Sequence, residues 1–242
     1  LNPFSDAPFW HLGFLAVPVT IIWIVGITNA VNLIDGLDGL AVGVSSIAAI
    51  TMLAVALLTD NMAIAITMAA LTGACIGFMP YNLNPAKIFM GDTGSTFLGY
   101  MLATVSIMGL FKFYAVISFA VPFLILGLPI FDTANAIIRR LAEGRSPMSP
   151  DRGHVHHKLI DMGFNQKQAV AILYAISATL GLTAVVLTSS GEVKAVVLLA
   201  AVLAAILVGA CIIYGAEHWG KHPQEQKKHK NEAAQEEKNK HE

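Results

Sequence analysis

Two aspartates three residues apart, each followed by glycine, interrupt a long apolar stretch in "TNAVNLIDGLDGLAVG" (28–43). Asn29, Asn32, Asp35 and Asp38 there offer hard oxygen atoms, the donors that suit Mg²⁺ or Mn²⁺. A helical path would put Asp35 and Asp38 on one face; Gly36 and Gly39 loosen the segment and let backbone approach a ligand. The competing reading is a polar turn capping the next helix, since D-G is common turn chemistry. Asp92, in "YNLNPAKIFMGDTGS" (81–95), invites the same two readings: a helix cap, or a metal ligand beside a helix N-terminus that favours phosphate. In that segment Asn82 and Phe89 have the chemistry to hydrogen-bond to and stack on a base, and Phe89 is also an ordinary interfacial aromatic. A third polar stretch, "RRLAEGRSPMSPDRGHVHHKLIDMGF" (139–164), carries His154, His156 and His157. H-x-H-H without cysteine fits no standard zinc spacing. With Arg139, Arg140, Arg145, Arg152 and Lys158 around it, it reads as a phosphate cradle. A basic cytoplasmic loop explains the arginines equally well, but not three histidines. Asp132 and Asn135, in "PIFDTANAIIRR", read as structural polar contacts.

The elements that must position these residues are apolar. The chain has 242 residues, 55% hydrophobic and 13% charged, against about 25% charged in soluble domains, so a membrane protein is expected. Apolar runs fall at about 12–31, 40–58, 62–80, 95–111, 113–131, 168–188 and 193–214. Crossing the hydrocarbon takes ~20 apolar residues in a helix, and continuous runs differ from barrel alternation. The expected fold is all-α, a polytopic bundle of seven spans over 1–216, followed by a disordered cytosolic tail at 217–242 that has almost no apolar residues. No Lys, Arg, Asp or Glu lies deep inside a span. Thirteen of the 15 Lys and Arg fall on one side, which places all three polar stretches in the cytoplasm. Cys75 and Cys211 lie in apolar runs and read as core fillers. No signal peptide is visible, and the opening "LNPFSDAPF" is loop-like, so a fragment with its N-terminal part missing is expected.

"NAVNLIDGLDGLA", "FMGDTGS" and "SPDRGHVHH", in that order, resemble the polyprenyl-phosphate N-acetylhexosamine-1-phosphate transferases over about residues 12–165. The wording is similar to the bacterial undecaprenyl-phosphate GlcNAc-1-phosphate transferases that start teichoic acid, enterobacterial common antigen or O-antigen synthesis. The peptidoglycan enzyme is a more distant likeness, with three consecutive histidines. The resemblance implies transfer of GlcNAc-1-phosphate from UDP-GlcNAc to undecaprenyl phosphate at the cytoplasmic face of the cell membrane, with Mg²⁺ and release of UMP. It implies that Asp92 is a metal ligand and that Asn32 helps hold the metal. It further implies that Asp38 and Phe89 contact uracil, that Asn82 contacts the nucleotide, and that Asp35 lines the nucleotide cleft. His154, His156 and His157 would cover the phosphates; Arg152 is added to the substrate contacts from its charge. The expected partners are the two substrates and the bilayer, with no nucleic acid and room for a homodimer. The family's Asp-Asp pair on an earlier loop has no counterpart in these residues, so the 242 residues alone are expected to be inactive. The rival class is a transporter or channel with acidic ion sites. Its acids should lie near mid-membrane at broken helices, whereas these lie at span ends; a catalytically silent membrane scaffold is the third class.

Overall fold

The structure, a computed structural model, describes residues 13–110, 115–146, 149 and 153–189, and every regular element among them is helical. After a 3₁₀ turn, Gly13–Leu15, come α1 (Ala16–Leu33), α2 (Leu40–Leu58), α3 (Met62–Asn82), α4 (Gly91–Leu110), α5 (Ala115–Ile125), α6 (Gly127–Ala142), α7 (Val155–Asp161) and α8 (Gln166–Ser189). Among the described residues four helical stretches are long and apolar enough to cross a membrane: Gly13–Leu33, Leu40–Leu58, Met62–Asn82 and Gln166–Ser189. They coincide with four of the seven expected runs.

α2 is the central helix. It packs on α3, α4, α5 and α8, and its sequence explains why. "LAVGVSSIAA" is apolar or small all round, as a helix with no solvent face must be, and its thin side chains admit close neighbours. A Cβ at Gly43 would lie 2.0 Å from the Tyr174 ring, so α8 reaches α2 only because position 43 is bare. The hydroxyls of Ser46 and Thr51 turn back onto the carbonyls of Val42 and Ile47, whereas the buried Ser45 hydroxyl has no partner. α1 behaves differently. It packs on α4 and α6, yet Phe14, Val17 and Ile22 are 86%, 66% and 71% exposed, an outward face that lipid satisfies at no hydrophobic cost.

The 113–131 run departs from expectation. It is not one continuous helix: α5 has 11 residues and ends at Ile125, and α6 begins at Gly127. Leu126 leaves helical geometry at φ −97°, ψ 16°, between Pro122, which lacks an N–H donor, and Gly127. The backbone ladder continues across the break, Leu126 N–H to the Pro122 carbonyl at 3.0 Å and Ile130 N–H to the Leu126 carbonyl at 3.1 Å. The expected 95–111 run is α4, which begins earlier, at Gly91. The 193–214 run, Arg152 and the tail at 217–242 lie outside the described residues.

Candidate functional site

The α1–α2 loop, the α3–α4 loop and the α6–α8 segment meet at one end of the bundle. Beneath them Ile34, Leu40, Ala41 and Val44 pack with Leu128 of α6 and with Val170 and Leu173 of α8; Val155 and Leu159 of α7 close over that cluster. The site therefore rests on a floor drawn from four helices and a loop.

Gly39 fixes the acidic loop. Its φ of +81° is left-handed, a conformation glycine adopts without steric cost. Its N–H donates to Asn82 Oδ1 at 3.2 Å, and the Tyr174 hydroxyl donates to its carbonyl. Asn82, 2% exposed, also donates from Nδ2 to the Ile88 carbonyl at 2.9 Å. Its amide thus joins the two acidic loops from within, and the expected nucleotide contact would need that buried amide. Asp38 Oδ2 accepts from Asn84 Nδ2 at 3.0 Å and from the Ala86 N–H at 3.1 Å. Asn84 donates as well to Gln166 Oε1 at 2.7 Å. Asn32 Oδ1 accepts from the Ser95 hydroxyl at 2.5 Å, which ties the end of α1 to the first turn of α4 where Asp92 stands exposed. Phe89 is 76% exposed at the rim.

Burial, then the negative charges of Asp92 and Asp38, push the Asp35 carboxyl up from its ordinary value. The three acids therefore share one electrostatic neighbourhood, and among the described residues no ion pair neutralises Asp35 or Asp92. A hard dication would relieve that repulsion, and Asp92 with the Asn32 carbonyl oxygen beside it offers the oxygen donors Mg²⁺ takes. Among the described residues no three His, Cys, Asp or Glu side chains form a ready cage. Mg²⁺ does not need one, since it keeps several waters and binds through one or two carboxylates plus substrate phosphates.

The histidines divide. His154 Nδ1 lies 2.9 Å from Asp132 Oδ2, and Asp132 Oδ1 accepts the Val155 N–H at 2.8 Å. His156 is 2% exposed, its Nε2 has no hydrogen-bond partner, and its ring stacks on His154 at 5.7 Å and 6°. Burial, with the neighbouring His157 next, pulls its pKa down to about 4, so it is neutral at physiological pH. His157, half-buried, tilts on His156 at 4.3 Å. The ring of His156 reaches the acidic loop: a Cβ at Gly36 would lie 2.4 Å from its Nε2. Arg139 Nη1 donates to the Gly153 carbonyl at 3.0 Å and holds the segment's start.

All the expected site residues inside the described range therefore gather at one end. Those not singled out from sequence are the ones that hold them. Ser95 orients Asn32, and Asn84 orients Asp38; the second asparagine of "YNLNP", two positions past Asn82, was the available signal. Asp132, expected as a structural contact, anchors the histidine segment. Gly36, expected to let backbone approach a ligand, admits His156.

Residues 1–110 match glycosyl transferase family 4. The chain is 44% identical over 191 residues to the probable undecaprenyl-phosphate N-acetylglucosaminyl 1-phosphate transferase of Bacillus subtilis, an alignment covering 77% of this chain and 53% of that protein. It is 39% identical over 181 residues to the decaprenyl-phosphate N-acetylglucosaminephosphotransferase of Mycolicibacterium smegmatis, covering 66% and 44%. It is 35% identical over 186 residues to the phospho-N-acetylmuramoyl-pentapeptide-transferase of Clostridium beijerinckii, covering 74% and 54%. The chain spans about half the length of these relatives. Their names support the transferase resemblance and give none to a transporter or channel. Four apolar helices and such relatives mark a membrane protein.

Proposed function

We propose, for a chain whose first 110 residues match glycosyl transferase family 4, that the protein it represents transfers GlcNAc-1-phosphate from UDP-GlcNAc to undecaprenyl phosphate. In the net reaction the β-phosphorus of UDP-GlcNAc gains a bond to an oxygen of the lipid phosphate and loses its bond to UMP, which departs. The observation that carries this reading is the meeting of three sequence-distant motifs at one end of an apolar bundle: Asp35 and Asp38, Asp92, and the histidine segment seated on Gly36 through His156.

Asp92, with Asn32 steered by Ser95, would hold Mg²⁺ (or Mn²⁺), which when bound supplies positive charge at the diphosphate. Asp38, braced by Asn84, and Phe89 at the rim line the approach for uracil. Asn82 keeps that rim at a fixed distance from the acidic loop. His154, buried like His156, and half-buried His157 would face the phosphates, and His156 serves as the seat between the loops. Arg152 adds charge to the same segment. The test is release of UMP from UDP-GlcNAc by the complete purified protein with undecaprenyl phosphate and Mg²⁺. Release dependent on both the lipid phosphate and the cation is expected; none under any cation would end the transferase reading.

The bundle is read as seven spans with this end in the cytoplasm, because 13 of 15 Lys and Arg fall on that side. Single cysteines at Asp60, in the α2–α3 turn, and at Ser146, after α6, should label from opposite faces of sealed vesicles. Labelling of both from one face would overturn the topology.

A further inference from the structure

The Asp132 carboxylate is buried, 3% exposed, and the proposed chemistry leaves it unused. It is nonetheless fully engaged. Oδ2 meets His154 Nδ1 at 2.9 Å and Oδ1 takes the Val155 N–H at 2.8 Å. These are consecutive residues at the start of α7: His154 is its N-cap and makes no side-chain cap of its own. One carboxylate from α6 thus does two things to α7. It caps the first backbone N–H, where negative charge is favourable, and it fixes the orientation of the adjacent imidazole.

We propose that Asp132 is a positioning residue that acts through His154. An ionised carboxylate can only accept, so the hydrogen on Nδ1 points at Asp132 and Nε2 is the nitrogen left for the substrate phosphates. The stacked, nearly parallel ring of His156 holds the other flank of His154. The ring cannot turn over without losing the carboxylate, and cannot translate without disturbing His156, which lies against the acidic loop at Gly36. Asp132 so sets the distance between the histidine segment and the acids. The substrate half of this assignment rests on the transfer reading; the pairing itself does not.

Asp132→Asn separates the two tasks. Its amide oxygen can still take the Val155 N–H, while its N–H faces Nδ1 and drives the ring hydrogen to Nε2. In the complete protein this variant should lose ~10²-fold in kcat, the scale set by misplacing a catalytic group by about 1 Å, with KM for UDP-GlcNAc changed by less than ~3-fold. His154→Ala should lose a similar factor. The double variant should be no slower than His154→Ala alone, because groups acting as one unit are not additive. Losses that multiply, or near wild-type kcat in Asp132→Asn, would overturn the positioning role. Denaturation midpoints of the four proteins give a second reading if Asp132→Asn folds poorly: the double variant should melt with His154→Ala, and an independent further drop would count against the pairing. A wild-type protein that releases no UMP overturns the transfer reading instead, and the midpoint coupling still decides whether Asp132 and His154 act as a pair.

Discussion

Asp92→Asn in the complete protein is expected to lower UMP release by ~10²-fold or more, with folding intact. Asp92 stands exposed in the first turn of α4, beside an Asn32 whose carbonyl oxygen is already turned by Ser95. An amide there keeps the shape but loses the negative charge that a bound dication would require; a lost hard ligand would cost several kcal/mol of charge stabilisation, hence the factor. Two small effects on stability oppose each other. The substitution removes a favourable charge from a helix N-terminus, worth about 0.3–1 kcal/mol, and it relieves the repulsion that raises the Asp35 pKa. The thermal midpoint should therefore move little. Wild-type turnover by the variant across a full Mg²⁺ titration would remove Asp92 from the site.

Gly36→Val is expected to be the most damaging change that removes no polar group. A Cβ at position 36 would sit 2.4 Å from His156 Nε2 and 2.9 Å from Cε1. The ring has no easy retreat, since His154 is stacked on it and His157 leans on it. Either the acidic loop or the histidine segment must shift. Overpacking of this kind costs about 1–3 kcal/mol, and a displacement near 1 Å between reacting groups costs ~10²-fold in rate. A lower melting temperature together with strongly reduced UMP release is expected. Adding His156→Ala should restore the midpoint and leave turnover low, which identifies the clash as the cause. A valine variant that melts and turns over like wild type would mean that the two loops do not touch.

The parts of the fold legible in the sequence are those fixed by local composition. α1, α2, α3 and α8 follow from continuous apolar runs of about span length, and the loops that bear chemistry follow from where those runs stop. The break at Leu126 was hidden because "FLILGLPIF" is apolar on both sides of it; hydropathy does not register a local change of backbone conformation. Asp35, Asp38, Asp92 and the histidines announced themselves as polar residues in an apolar chain. The groups that aim them did not. The link from Asp132 to His154 spans 22 residues, that from Asp38 to Asn84 spans 46, and that from Gly39 to Tyr174 spans 135. Nothing in the residue types identifies such partners before the helices are packed. The histidines show the same limit from the other direction: all three look alike on paper, and only packing buries His154 and His156 while leaving His157 half-buried.

The binding of Gly39 by Asn82 on one side and Tyr174 on the other has a thermodynamic consequence. A glycine-containing acidic loop free in solution has more backbone entropy to lose on meeting a ligand than almost any other segment. Here α3 and α8 remove that freedom during folding, through the two groups of a single peptide residue. Under the proposed function, the ordering cost then falls on the packing of the apolar helices and not on the nucleotide or the cation. Affinity at the mouth of the bundle would thereby be drawn from helix association inside it, and a substitution at Tyr174, far along the chain from Asp35 and Asp38, is expected to weaken ligand binding by returning disorder to the loop and not by removing a contact.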